Sequence, residues 1–102
     1  MPTDTTPLTA AALQQFVAAH PGWALEGGPL KKTFEFPAFL TGIAFVQRLA
    51  AVAEALAHHP DLDVRYTRVT ARLFTHDADA LTALDLELAG ACDRLAAELG
   101  AR

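Results

Sequence analysis

Helical spacing of apolar residues alternates along this chain with two stretches of strand-like alternation. Leu13, Phe16 and Val17 share one helical face behind Thr9, whose hydroxyl suits an N-cap, and Pro21-Gly22 stop that helix near His20. Trp23 and Leu25, the turn-forming Gly27-Gly28-Pro29, and then residues 30–36 predict a hairpin. In its second arm Leu30, Lys32, Phe34 and Phe36 point one way, while Lys31, Thr33 and Glu35 point the other. Pro37 suits the first turn of a helix, and the spacing from Phe39 to about residue 58 is helical. Phe39, Ile43, Val46, Ala50, Ala53 and Ala57 form one stripe of it; Phe45, Leu49, Val52 and Leu56 form a second. A helix apolar on two sides requires a sheet on one side and a further cover on the other, for which a second subunit is the candidate. Pro60 ends it.

Two short β-rich segments follow, residues 63–67 and 69–75, close enough together to pair only as an antiparallel hairpin. Val69, Ala71, Leu73 and Thr75 share a face opposite Arg72, Phe74 and His76. The last helix starts near Thr82, where Thr82-Ala83-Leu84-Asp85 resembles a capping box with Asp in place of Glu. Its buried stripe is Leu84, Leu88, Ala91, Cys92, Leu95 and Leu99. The order α-β-β-α-β-β-α lacks long βαβ crossovers, which predicts an α+β domain. Residues 1–8, with prolines among threonines, read as a flexible leader to a single domain over 9–102.

Composition narrows the partners. A chain of 102 residues has room for one domain, and folding at that size buries roughly 65% of the extended surface, so no staple is needed. Eight Lys and Arg against twelve Asp and Glu give a net charge of −4. No basic field for nucleic acid or an anionic membrane follows, and neither is an expected partner. Cys92, the only cysteine, sits among Leu88, Leu95 and Leu99 and reads as an inert core thiol. The start has no basic n-region or apolar h-region. Gln47, Arg48 and Glu54 interrupt the longest apolar run before it reaches a membrane span of about 18 residues. A soluble, cytoplasmic protein is the expectation.

Chemistry concentrates at three histidines. His58 and His59 stand at the end of the long helix and His76 at the end of the last strand. Imidazole takes and gives a proton near neutral pH, so such a group suits paired acid–base work. Glu54, one turn before His58, is placed to accept its N–H and orient it. Each residue also has a plainer reading: His58-His59-Pro60 as a polar helix end, His76 as a strand end, Asp85 as the partner of Thr82, and Trp23 and Tyr66 as core or pocket walls. Adjacent histidines with no HExxH pattern make a poor metal site, and with no serine in the chain a nucleophilic enzyme has no obvious residue. No metal and no cofactor are expected.

The spacing itself is specific. Glu54, three residues, His58-His59-Pro60, five residues, Tyr66, nine residues, His76, eight residues and Asp85 resemble the signature of the pterin-4a-carbinolamine dehydratases. Gly22-Trp23, the strand from Leu30 to Phe36, Phe45 and Thr75-His76-Asp77 fit the same family. The resemblance implies a four-stranded antiparallel sheet with three helices on one face, and a homodimer or homotetramer. It implies loss of water from 4a-hydroxytetrahydrobiopterin to give quinonoid dihydropterin, a hydro-lyase step that recycles pterin for an aromatic amino acid hydroxylase. His58, His59 and His76 would be catalytic, with His59 the principal acid–base residue and Glu54 orienting His58. Ala57, Phe74, Thr75 and Asp77 would border the pterin with the histidines, Thr75 and Asp77 largely through backbone groups. Pro60, Tyr66 and Asp85 would be structural members of the motif. Asp77-Ala78-Asp79-Ala80 departs from the glycines of many relatives, so the loop beside His76 is expected to differ in shape. The competing reading is a non-catalytic dimerisation or assembly module of the same fold.

Overall fold

A computed structural model describes residues 5–102. Helix α1 (Ala10–Ala19) begins where Thr9 accepts a hydrogen bond from the Ala12 N–H at 3.1 Å, and it ends on His20. The His20 ring stacks on Phe16 and contacts the Phe16 carbonyl, a helix-ending role only. Strand β1 (Ala24–Leu25) is short, and left-handed Gly27 and Gly28 turn it into β2 (Leu30–Glu35). Helix α2 (Phe39–Leu56) leads to β3 (Asp61–Arg65) and β4 (Arg68–Leu73). A 3-10 turn (His76–Ala78) precedes α3 (Ala83–Glu98).

The sheet is antiparallel in the order β1-β2-β4-β3, so the fold is the expected α+β arrangement of four strands with three helices. Its covered face carries Leu30, Phe34, Val69, Ala71 and Leu73, all buried, with Phe45 and Leu49 of α2 and Leu88, Cys92 and Leu95 of α3 packed on them. Trp23 is core, its indole N–H bonded to Asp93 at 3.0 Å. The opposite face is polar, with Thr33 bonded to Thr70 across β2 and β4.

Several boundaries differ from expectation. Helix α2 stops at Leu56 rather than near 58, because Ala57 takes a left-handed conformation at φ 52°. The Ala57 and His58 N–H groups then bond back to the carbonyls of Glu54 and Ala53, closing a Schellman motif. Strand β3 starts at Asp61, two residues early, and turns at Tyr66, which is left-handed at φ 52° and 77% exposed, neither core nor pocket wall. Of the leader expected over 1–8, residues 1–4 lie outside the described residues, and Leu8 is held: its N–H bonds to the Leu81 carbonyl and its side chain packs on the core.

On α2 the buried stripe is Gly42, Phe45, Leu49 and Ala53, while Phe39 and Leu40 in its first turn are exposed. By length and composition Phe39–Leu56 does reach that of a membrane span, with a mean hydropathy of 1.5, despite Arg48 and Glu54. Two-sided apolarity raises the mean; one of those sides is the core of the domain.

Candidate active site

The Asp61↔Arg72 pairing at the start of β3 brings the chain just before it alongside the chain just after β4. One segment is Ala57-His58-His59; the other is Phe74-Thr75-His76-Asp77. Together they line a cleft of about 210 Å³. Every residue expected to border the pterin is there. His76, expected at the end of the last strand, lies three residues beyond it: β4 finishes at Leu73, Thr75 makes a single bridge to Ala80, and His76 opens the 3-10 turn. Asp79 supplies a left-handed residue at φ 50° in this loop, a conformation Asp tolerates better than most residues. Phe74 meets the His76 ring edge-on, with centroids 5.3 Å apart.

The three histidines differ in their support. His58 is 8% exposed, and its Nε2 lies 2.6 Å from Oδ1 of Asp85, which is fully buried. Oδ2 of Asp85 accepts the Thr75 hydroxyl at 2.7 Å and the Thr82 N–H at 2.9 Å. His59 is open to solvent, and its Nε2 lies 2.7 Å from Oε2 of Glu54. His76 is exposed and has the Phe74 ring for a neighbour.

These contacts correct the expected pairing of Glu54 with His58. That pairing assumed a helix continuing through His58. The left-handed Ala57 takes His58 off the helical path and turns it inward to Asp85, which leaves Glu54 to His59. Asp85 does form the α3 capping box with Thr82, as its position predicts, but it also holds His58. The fixed distance of Asp85 from the histidine pair was the one sequence signal for that contact. Both backbone groups of Thr75 are engaged within the loop, its N–H with Ala80 and its carbonyl with Ala78 and Ala80. Tyr66 lies at the far end of β3 from the histidines. Cys92 is buried away from the cleft, and burial pushes its thiol up to about 12. Among the described residues no three His, Cys, Asp or Glu side chains converge as a metal-binding set.

The ends of β3 and β4 thus carry one small cleft lined by three imidazoles and an aromatic ring. The family model described as pterin 4 alpha carbinolamine dehydratase matches residues 6–95. A Roseiflexus sp. (strain RS-1) protein named "Putative pterin-4-alpha-carbinolamine dehydratase" is 42% identical over 90 residues, covering 88% of this chain and 97% of its own. A protein of the same name from Chloroflexus aurantiacus is 44% identical over 88 residues, covering 86% and 95%. Among solved structures, the transcriptional coactivator/pterin dehydratase from Brucella melitensis superposes with a TM-score of 0.85 at 31% identity, over 89% of this chain and 99% of that one. A pterin dehydratase-like protein, identified as a RuBisCO assembly factor in the alpha-carboxysome, superposes with a TM-score of 0.66 at 29% identity, over 76% and 92%. The chain belongs to the pterin-4a-carbinolamine dehydratase family.

Proposed function

We propose that the chain is a cytoplasmic hydro-lyase that dehydrates 4a-hydroxytetrahydrobiopterin to quinonoid dihydropterin, in recycling of the pterin used by an aromatic amino acid hydroxylase. The observation that carries this reading is the convergence of His58, His59 and His76, from two separate segments, on one cleft with Phe74.

The reaction breaks the C4a–O bond and the N5–H bond and forms a C4a=N5 double bond, with water as the leaving group. It therefore requires one proton delivered to the hydroxyl and one removed from N5. Imidazoles supply both, each contributing typically about 10²–10⁴-fold. His59 is the principal acid–base residue, and Glu54 accepts its Nε2–H and steadies the ring. His58 and His76 serve opposite faces of the carbinol carbon. The Asp77 backbone meets the edge of the pterin, and Phe74 and Ala57 border it.

The domain acts as a homodimer or homotetramer, and the exposed Phe39 and Leu40 on α2 form one contact between copies. A non-catalytic assembly role is the second reading, favoured by the same apolar face and by the names of the two structural neighbours. Stopped-flow ultraviolet measurement of carbinolamine dehydration separates the two. The dehydratase accelerates the reaction above its spontaneous rate, and a chain acting only in assembly leaves that rate unchanged.

A further inference from the structure

With Asp85 ionised, the hydrogen bonds around it close in one way. A carboxylate accepts and does not donate, so the Thr75 hydroxyl proton goes to Oδ2 of Asp85 at 2.7 Å. Thr75 Oγ1 also lies 2.8 Å from Thr82 Oγ1. Its single proton being committed, Thr75 accepts there and Thr82 donates. Oδ2 takes the Thr82 N–H as well, which leaves Oδ1 facing His58 Nε2 at 2.6 Å. That nitrogen must carry a proton. Asp85 and Thr82 are fully buried, Thr75 is 4% exposed and His58 8%, so water does not compete for these positions.

The other ring nitrogen is the consequence. His58 Nδ1 has no hydrogen-bond partner among the described residues, and none of their buried side-chain polar atoms is left unsatisfied. Nδ1 is therefore not sealed in the interior, and the opening that His58 lines is the cleft. We propose that the N-cap of α3 is a positioning device for the cleft: Thr82, Thr75 and Asp85 lock His58 as the Nε2–H tautomer and present the Nδ1 lone pair to the substrate, making His58 the base.

In the dehydration proposed above, Nδ1 takes the N5 proton. The N–H electron pair becomes the C4a=N5 bond, and the hydroxyl leaves as water with a proton from His59. The imidazolium so formed at His58 still donates through Nε2 to Asp85, whose carboxylate steadies the new charge. Thr82 lies outside the cleft lining and the Thr75 hydroxyl is turned to Asp85, so in this scheme both hydroxyls act as positioning groups through Asp85. The base assignment rests on the dehydratase reading, whereas the tautomer does not.

The test joins nitrogen-15 NMR of the histidine rings with stopped-flow kinetics on the whole chain. In mildly alkaline buffer the wild-type His58 ring should show a protonated Nε2 and an unprotonated Nδ1. Asp85→Asn, which keeps the shape and can turn its amide N–H toward Nε2, should move the His58 proton to Nδ1 and lower kcat about tenfold or more with KM within about twofold. Thr75→Val leaves a carboxylate facing His58 but frees it to turn, so kcat should fall while the Nε2–H tautomer persists, and Thr75→Ser should restore kcat. A wild-type ring protonated at Nδ1, whether as that tautomer or as a persistent imidazolium, overturns the proposal. So does an Asp85→Asn protein that folds normally with unchanged tautomer and kcat. If Asp85→Asn fails to fold, loss of the Nε2–H tautomer in Thr75→Val overturns the proposal. Absence of dehydration by wild type with the Nε2–H tautomer present would reject the enzymatic reading and the base role, and leave the lock standing.

Discussion

His58 and His59, adjacent in the chain, occupy different environments. The first is 8% exposed and bonded to a buried carboxylate, and the second is open to solvent with an exposed one. Sequence spacing assigned Glu54 to His58, but the carboxylate pairs with His59, because the choice turns on a single left-handed residue, Ala57. Cys92 is the opposite case: leucine neighbours at helical spacing already marked it as core, and it is buried. Burial raises its thiol from 9.0 to about 12. The sign follows from proton binding. Between those values the unfolded thiol has lost its proton and the folded one has kept it, so stability falls as pH rises from about 9 to about 12. Below that window this group contributes nothing to the pH dependence. Urea midpoints across the window should fall more steeply for wild type than for Cys92→Ala. A native protein whose thiol is alkylated as fast as a free one would contradict this burial.

At the scale of the element, the end of α2 sets the site. A Schellman motif usually has glycine at its left-handed position, and this chain has Ala57 there. Alanine carries no turn signal, which is why the sequence pattern ran the helix on toward Pro60. A left-handed alanine costs about 1 kcal/mol relative to glycine. Ala57→Gly is expected to raise stability by about 0.5–1 kcal/mol in urea unfolding, provided the cap is retained. A loss of stability would show that the methyl group makes a contact worth more than the strain. The start of α3 was legible in full, since Thr82 and Asp85 at that spacing are a capping box by local chemistry. That Asp85 also reaches His58 depends on tertiary packing of α3 against the end of α2, which local spacing does not encode. Strand β3 began early for a related reason: Asp61 and Leu62 have no strong strand preference, and their place comes from pairing with Arg72 and Ala71.

Across the whole molecule, element order and the inward faces of β2, β4 and α3 were readable because one face of each is buried. The expected outer stripe of α2 is partly core, since Ala53 is buried and Val46 packs against the core, and the large exposed apolar residues of the helix are Phe39 and Leu40 in its first turn. Phe39 is 44% exposed and Leu40 74%. If copies meet there, Leu40→Glu should lower the mass seen by sedimentation or light scattering while leaving the monomer fold intact, since the side chain makes no core contact. An unchanged assembly would move the contact elsewhere on the surface. Separation of the cleft from this apolar face lets catalysis and association be tested apart.

The central claim is that the histidine cleft dehydrates the carbinolamine. It is met most directly by stopped-flow dehydration rates for wild type, His59→Ala and no protein, measured side by side. The account predicts clear acceleration by wild type and loss of most of it, about 10²-fold or more, in a His59→Ala protein of unchanged fold. Equal acceleration by both proteins would remove His59 from its role, and no acceleration by either would contradict the enzymatic account altogether.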